Sequence, residues 1–118
     1  MKNLCLLFLL LLFTSCTESK FNDTDIHGNW KVASWTVEST GKSIKNKMDM
    51  NFSAFEKYTI DYGTENEKGK YWIANDYLHT VEQNEAEKKV LILKLNPDTL
   101  QIQMNRAGEM ENVTLVKK

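Results

Sequence analysis

Residues 48–62 read MDMNFSAFEKYTIDY and decide the fold. Apolar and polar side chains alternate in two runs, at residues 48–54 and 58–62. Because alternate side chains of a strand lie on opposite faces, each run predicts a half-buried β-strand. The step Tyr62-Gly63 and the polar residues 64–69 then predict a turn, so the chain continues as a hairpin.

The same rhythm of short strands and turns continues on both sides of this stretch. Further strands are predicted at residues 30–38, 69–74, 77–83, 90–93, 100–105 and 110–116. Residues 90–93 are apolar on both faces, so this strand is expected to be the most buried. Eight sequential strands joined by short turns predict an all-β, up-and-down antiparallel meander. Closure into a barrel would remove its exposed edges.

Length and charge exclude several classes of protein. The chain has 118 residues, a length that allows one domain at most. Its net charge is −1 and its pI is near 6.1. A nucleic-acid partner is not expected, since such binders carry a basic face and usually a pI above ~9. Two Cys allow no more than one disulfide, which excludes a multi-disulfide scaffold.

The N-terminus predicts export and lipidation. Lys2 precedes an apolar run at residues 4–13, which is too short to span a bilayer and typical of a secretory signal peptide. Residues 13–16, Phe-Thr-Ser-Cys, resemble the lipobox of bacterial lipoproteins. The resemblance implies a signal peptide at 1–15 and acylation of Cys16. It also implies an outer-membrane location, because Thr17 is not the Asp of the inner-membrane retention signal.

Processing at Cys16 would change the composition of the protein. Removal of residues 1–15 from the 118 leaves 103 residues and takes Lys2 away, so the net charge falls from −1 to −2. Residues 16–25 then form a lipidated, polar tether to the membrane, and the folded domain covers 26–118. No second Cys remains to form a disulfide.

Gly28-Asn29-Trp30, at the start of the first strand, resembles the Gly-X-Trp signature of lipocalins. The later pattern is similar to small bacterial lipocalin-like lipoproteins, and the matching pieces are residues 52–58, Gly69 with Tyr71, 95–100 and 113–116. The resemblance implies an eight-stranded barrel that binds a small molecule and whose first loop covers the mouth. That loop carries Lys42, Lys45 and Lys47. The final strand has no Arg to stack on Trp30, which leaves Lys117 as the candidate substitute.

Aromatic residues are the candidate binding residues. The ones expected to point inward are Trp30, Phe52, Tyr58, Tyr71 and Tyr77. They either pack as core or line a ligand pocket, and a void above roughly 300 Å³ among them would favour ligand carriage. Trp35 and Trp72 have the opposite phase, so without a bulge they would point outward and form a surface for a protein partner.

No catalytic, metal or cofactor site is predicted. His79 and Glu82 lack an accompanying nucleophile, and His79 is expected to be an exposed strand residue. Asp23, Asp25 and His27 alternate, but such spacing is common in polar tethers. The sequence therefore predicts a non-enzymatic, lipid-anchored envelope protein for a small apolar or amphipathic ligand. The alternative is an interaction module of the envelope, such as an inhibitor, immunity protein or assembly subunit. It would use Trp35, Trp72 and the first loop with its lysines, Lys42, Lys45 and Lys47.

Overall fold

The structure, a computed structural model, describes residues 21–118. The predicted signal peptide at 1–15 and the lipidation site Cys16 lie outside the described residues. A 3-10 helix at Asp23–Ile26 precedes eight strands, which are β1 (Gly28–Val37), β2 (Asp49–Phe52), β3 (Lys57–Asp61), β4 (Asn66–Ala74), β5 (Tyr77–Glu82), β6 (Lys88–Leu95), β7 (Thr99–Arg106) and β8 (Glu109–Lys117). Within this part of the chain, no helix is both long enough and apolar enough to span a membrane.

The strands form a closed barrel in the order β1 to β8, and every neighbouring pair is antiparallel. Closure comes from β1 and β8, whose register runs from Trp30 opposite Lys117 to Val37 opposite Glu111. The predicted all-β, eight-stranded up-and-down barrel is therefore confirmed. Each strand pairs with a neighbour on both sides, so the barrel has no open edge.

The up-and-down order gives the barrel two different ends. The first, which we name the closed end, holds the 3-10 helix, the chain terminus Lys118 and the turns at 53–56, 75–76 and 96–98. The other, which we name the mouth, holds the long loop at 38–48 and the turns at 62–65, 83–87 and 107–108.

Trp30 plugs the closed end. Its side chain is fully buried, and its Nε1 donates a hydrogen bond to the carbonyl oxygen of Ile26 at 2.8 Å. Lys117 Nζ lies 4.5 Å from the centroid of the Trp30 ring, so the predicted substitution of Lys117 for an Arg is confirmed. Gly28 has φ +121, and a Cβ there would lie 3.2 Å from the Lys117 side chain, which explains the glycine of the signature.

Two of the predicted orientations are wrong. A β-bulge between Val32 and Ser34 adds one residue to β1, so Trp35 turns inward and is only 5% exposed. Tyr77 lies on the outer face, because Leu78 takes the inward position of β5. Trp72 points outward as predicted and is 38% exposed.

Two strand predictions also differ from the structure. In β6 only Ile92 is buried, and Leu93 is 46% exposed beside a second bulge, so the prediction that this strand is the most buried is wrong. β4 begins at Asn66, inside the predicted turn at 64–69. The reason is that the inward residue there is Glu67, and a polar inward residue breaks the apolar alternation that marks a strand.

Candidate ligand-binding site

A cavity of about 700 Å³ lies at the mouth of the barrel. This volume falls within the range of roughly 300–1,000 Å³ that small-molecule sites occupy. Its lining combines three large apolar side chains with a group of polar ones. The residues that matter to its chemistry are Trp35, Met48, Met104, Tyr62, Glu67, Glu82, Lys88, Lys45, Lys47 and Arg106.

One wall of the cavity is apolar and comes from β1, β7 and the end of the long loop. Trp35, Met48 and Met104 form it, and the bulge in β1 is what brings Trp35 inside. Trp35 Nε1 donates to Glu111 Oε1 at 2.9 Å, and Arg106 lies 3.4 Å from the same carboxylate oxygen. These contacts fix the indole ring and satisfy its polar atom, so the ring offers an apolar surface to the cavity.

The opposite wall is polar and comes from β3 to β6. Glu67 accepts hydrogen bonds from the hydroxyls of Tyr58 at 2.6 Å and Tyr62 at 3.2 Å. Lys88 Nζ lies 3.6 Å from Glu67 and 3.3 Å from Glu82. Two carboxylates from adjacent strands are therefore held together by one ammonium group.

Two tyrosines and Lys88 of this wall have shifted pKa values that fix their protonation states at neutral pH. Burial raises the pKa of the Tyr58 and Tyr62 hydroxyls well above the ordinary value, and the negative charge of Glu67 raises it further. Burial lowers the pKa of Lys88, but the charges of Glu67 and Glu82 outweigh that effect, so its net pKa is raised. Both tyrosines are thus neutral donors, and Lys88 carries its charge.

The long loop at 38–48 borders the cavity, in agreement with its expected position at the mouth. Lys45 and Lys47 contribute to the lining, and Lys47 Nζ pairs with Asp61 at 3.1 Å. The amide of Ile44 donates to the carbonyl of Trp35 at 2.8 Å, which ties the loop to β1. A second cavity of about 540 Å³ lies between this loop and β1, so the loop has open space on two sides.

The aromatic residues singled out from sequence lie elsewhere. Trp30, Phe52, Tyr58 and Tyr71 are buried as predicted, but they belong to the packed core and none of them is part of the cavity lining. The rings of Phe52 and Tyr71 meet edge to face with centroids 4.9 Å apart. Tyr58 supports the cavity indirectly, through its hydroxyl on Glu67.

Sequence reasoning missed the polar wall. Glu67 falls inside the predicted turn at 64–69, Glu82 is considered only beside His79, and Lys88 is not singled out from the sequence. One signal could have revealed Glu67: it lies four and six residues before the buried Tyr71 and Ile73, so on a single continuous strand it faces the same side as they do. The expectation of an exposed His79 is also corrected: its side chain is only 16% exposed, and its ring stacks on Trp72 and lies 3.0 Å from Glu87.

The buried tyrosines predict a loss of stability at high pH. Above pH ~10 a tyrosine in the unfolded chain loses its proton, whereas Tyr58 and Tyr62 in the folded barrel keep theirs. The unfolded state then binds fewer protons, so the free energy of unfolding falls as the pH rises. Urea unfolding between about pH 8 and 11 measures this slope. Tyr58→Phe is expected to reduce it, and an unchanged slope in that variant would contradict the assignment.

No three His, Cys, Asp or Glu side chains within residues 21–118 are grouped so as to hold a metal ion. What the fold defines is a small up-and-down β-barrel with one packed end and a mixed polar and apolar cavity at the other. The chain belongs to the lipocalin-like domain family, whose sequence model matches residues 26–102.

A solved structure has a similar fold. The barrel is similar to the crystal structure of a lipocalin-like protein from Bacteroides uniformis, with a TM-score of 0.61. The two chains are 15% identical over 80% of this chain and 99% of that one, so the likeness concerns the fold. No curated protein matches the chain.

Proposed function

We propose that this protein binds a small amphipathic molecule in the mouth cavity, without converting it, while held in the cell envelope by acylated Cys16. The observation that carries the proposal is the division of one cavity into an apolar wall and a polar wall. A ligand with an apolar body and a hydrogen-bonding group matches both walls. A wholly apolar ligand would leave the carboxylates of Glu67 and Glu82 desolvated without a new partner, which costs free energy.

Unused hydrogen-bonding capacity on the polar wall suggests which group the ligand presents. Glu67 already accepts from two tyrosines and lies beside Lys88, whereas within residues 21–118 the side-chain carboxylate of Glu82 contacts only Lys88. A carboxylate has about four acceptor positions. Glu82 is therefore the acceptor we assign to a donor group of the ligand, with Trp35 and Met104 against its apolar body.

The alternative, an envelope interaction module, keeps less of its predicted surface. Trp35 belongs to the cavity wall, which leaves Trp72 as the exposed indole of the predicted pair. The predicted test for ligand carriage, a void among the five aromatic candidates, is not met, because none of them lines the mouth cavity. A cavity of suitable volume is instead present at the mouth, with a different lining. A small-molecule ligand is therefore the function that the geometry supports better.

A larger side chain in the cavity is expected to weaken the binding of a small-molecule probe. N-phenyl-1-naphthylamine, a fluorescent molecule with an apolar body and one N–H donor, is the probe. Met104→Trp places a larger side chain in the apolar wall, and we expect its Kd for the probe to rise about tenfold, equivalent to ~1.4 kcal/mol. Fluorescence titration of the purified full chain measures the Kd.

Met110→Trp is the matched control, because Met110 lies in the same hairpin but alternates with the buried Glu111 and faces outward. This variant should bind the probe like the wild type. Absence of probe binding to the wild-type chain, or equal weakening in both variants, would overturn the proposed cavity function.

A further inference from the structure

The exposed large apolar side chains of residues 21–118 lie towards one end of the barrel. They are Phe55, Trp72 and Leu93, with exposed fractions of 85%, 38% and 46%. Phe55 is in the turn after β2, and Trp72 and Leu93 are each two residues from the end of their strands at the closed end. We name these three residues the apolar rim.

Backbone contacts place the rim residues on one side of the closed end. The amide of Tyr71 donates to the carbonyl of Glu56 at 3.0 Å, so the turn that carries Phe55 lies against β4 next to Trp72. The amide of Ile92 donates to the carbonyl of Asp76 at 2.7 Å, which joins the Leu93 segment to the turn after β4. The rim therefore runs along the closed-end side of β4, β5 and β6.

The surroundings of the rim have the chemistry of a membrane interface. Trp72 stacks on His79 with centroids 5.1 Å apart, and Lys89 Nζ lies 4.6 Å from the Tyr77 ring centroid on the next strands. Amphipathic aromatic rings favour the headgroup region of a bilayer. Lysines beside them can extend their ammonium groups to the polar layer.

The chain enters the barrel at this same end. Phe21 packs against the core, and the 3-10 helix that follows ends at the fully buried Ile26. Cys16 precedes Phe21 by five residues, so an acylated Cys16 lies no more than about 18 Å from it.

We propose that the apolar rim is a membrane-contact surface, which rests the closed end on the bilayer and turns the mouth cavity away from it. The inference depends on the proposed acylation of Cys16, which holds the rim near the lipid. Burial of these apolar side chains in lipid then adds to the anchor, because removing apolar surface from water is favourable.

Single labelled cysteines test this orientation. An introduced Cys is the only free thiol of the acylated mature chain, because Cys5 is removed with the signal peptide. An environment-sensitive nitrobenzoxadiazole label is placed at Phe55→Cys or Leu93→Cys at the closed end, and at Glu85→Cys at the mouth as the control. The acylated full chain is reconstituted into phosphatidylcholine vesicles with and without brominated acyl chains.

We expect the labels at positions 55 and 93 to shift to shorter wavelength and to be quenched by brominated lipid, and the label at position 85 to do neither. Two results would overturn the orientation: equal quenching of the label at all three positions, or no quenching at positions 55 and 93. A shift in label emission that depends on the density of protein on the vesicle, and not on the brominated lipid, would also overturn it. Vesicle flotation is measured on the same samples. Failure to float would overturn the anchor and this inference together, whereas probe binding by the cavity is scored separately.

Discussion

Replacement of Trp30 by alanine is expected to lower the free energy of unfolding by about 3–5 kcal/mol. The side chain is fully buried at the closed end, and its removal leaves a cavity that neighbouring strands cannot fill without breaking the closed barrel. It also leaves the carbonyl of Ile26 without its indole donor. Because small domains have roughly 5–15 kcal/mol of stability in total, the variant is expected to be close to unfolding at room temperature.

The Trp30 substitution should also loosen the 3-10 helix at Asp23–Ile26. Lys117 Nζ lies over the indole ring and donates to the carbonyls of Asp25, at 3.2 Å, and His27, so the ring, the last strand and the 3-10 helix form one unit. Urea unfolding followed by far-ultraviolet circular dichroism measures the effect. Trp72→Ala is the matched control, because it removes a partly exposed indole and should cost about 1 kcal/mol or less. Similar losses in both variants would show that Trp30 does not plug the barrel.

Replacement of Gly69 by alanine is expected to destabilise the barrel by about 3 kcal/mol and to weaken binding in the cavity. A Cβ at Gly69 would lie 2.0 Å from the carbonyl oxygen of Val81 and 2.9 Å from the Cα of Glu82. Both atoms belong to the backbone of β5, so no side-chain rotation can relieve the overlap. β4 and β5 must therefore move apart.

This separation occurs at the polar wall, since Gly69 is opposite Glu82 and two residues from Glu67. Probe titration and urea unfolding on the same variant measure the two effects. Lys68→Ala, on the exposed outer face of β4, is the control and should change stability by no more than about 0.5 kcal/mol. If Gly69→Ala is as stable as that control and binds the probe normally, the close approach of β4 and β5 is not required.

Much of the barrel follows from local sequence. Period-two alternation at residues 48–54 and 58–62 marks strands because a buried face must be apolar, and the turns at 75–76 and 96–98 carry residues that suit them. The inward orientation of Trp30 was also predicted, and the structure shows that Gly28, two residues before it, has a positive φ. Strand order came from the short connections, which favour pairing of sequential neighbours.

The candidate site was less accessible from sequence. Where inward residues are polar, as at Glu67, the alternation that marks a strand disappears and the segment resembles a turn. Trp35 and Leu93 were assigned to the wrong environments because each follows or occupies a bulge, and one added residue exchanges the two faces of a strand. Local composition carries no mark of such an insertion.

The sequence by itself determined the eight strands and their order, because these depend on the period of hydrophobicity and on short connections. Only the tertiary structure decided which polar residues meet. Glu67, Glu82 and Lys88 belong to three different strands and converge through cross-strand register, which is set by closure of the whole barrel. The same register explains the cavity. Aromatic side chains fill the closed end as part of the core, whereas the inward side chains at the mouth are charged. Charged side chains cannot be packed into a dry core without losing water or another polar partner, which costs free energy, so the mouth stays open.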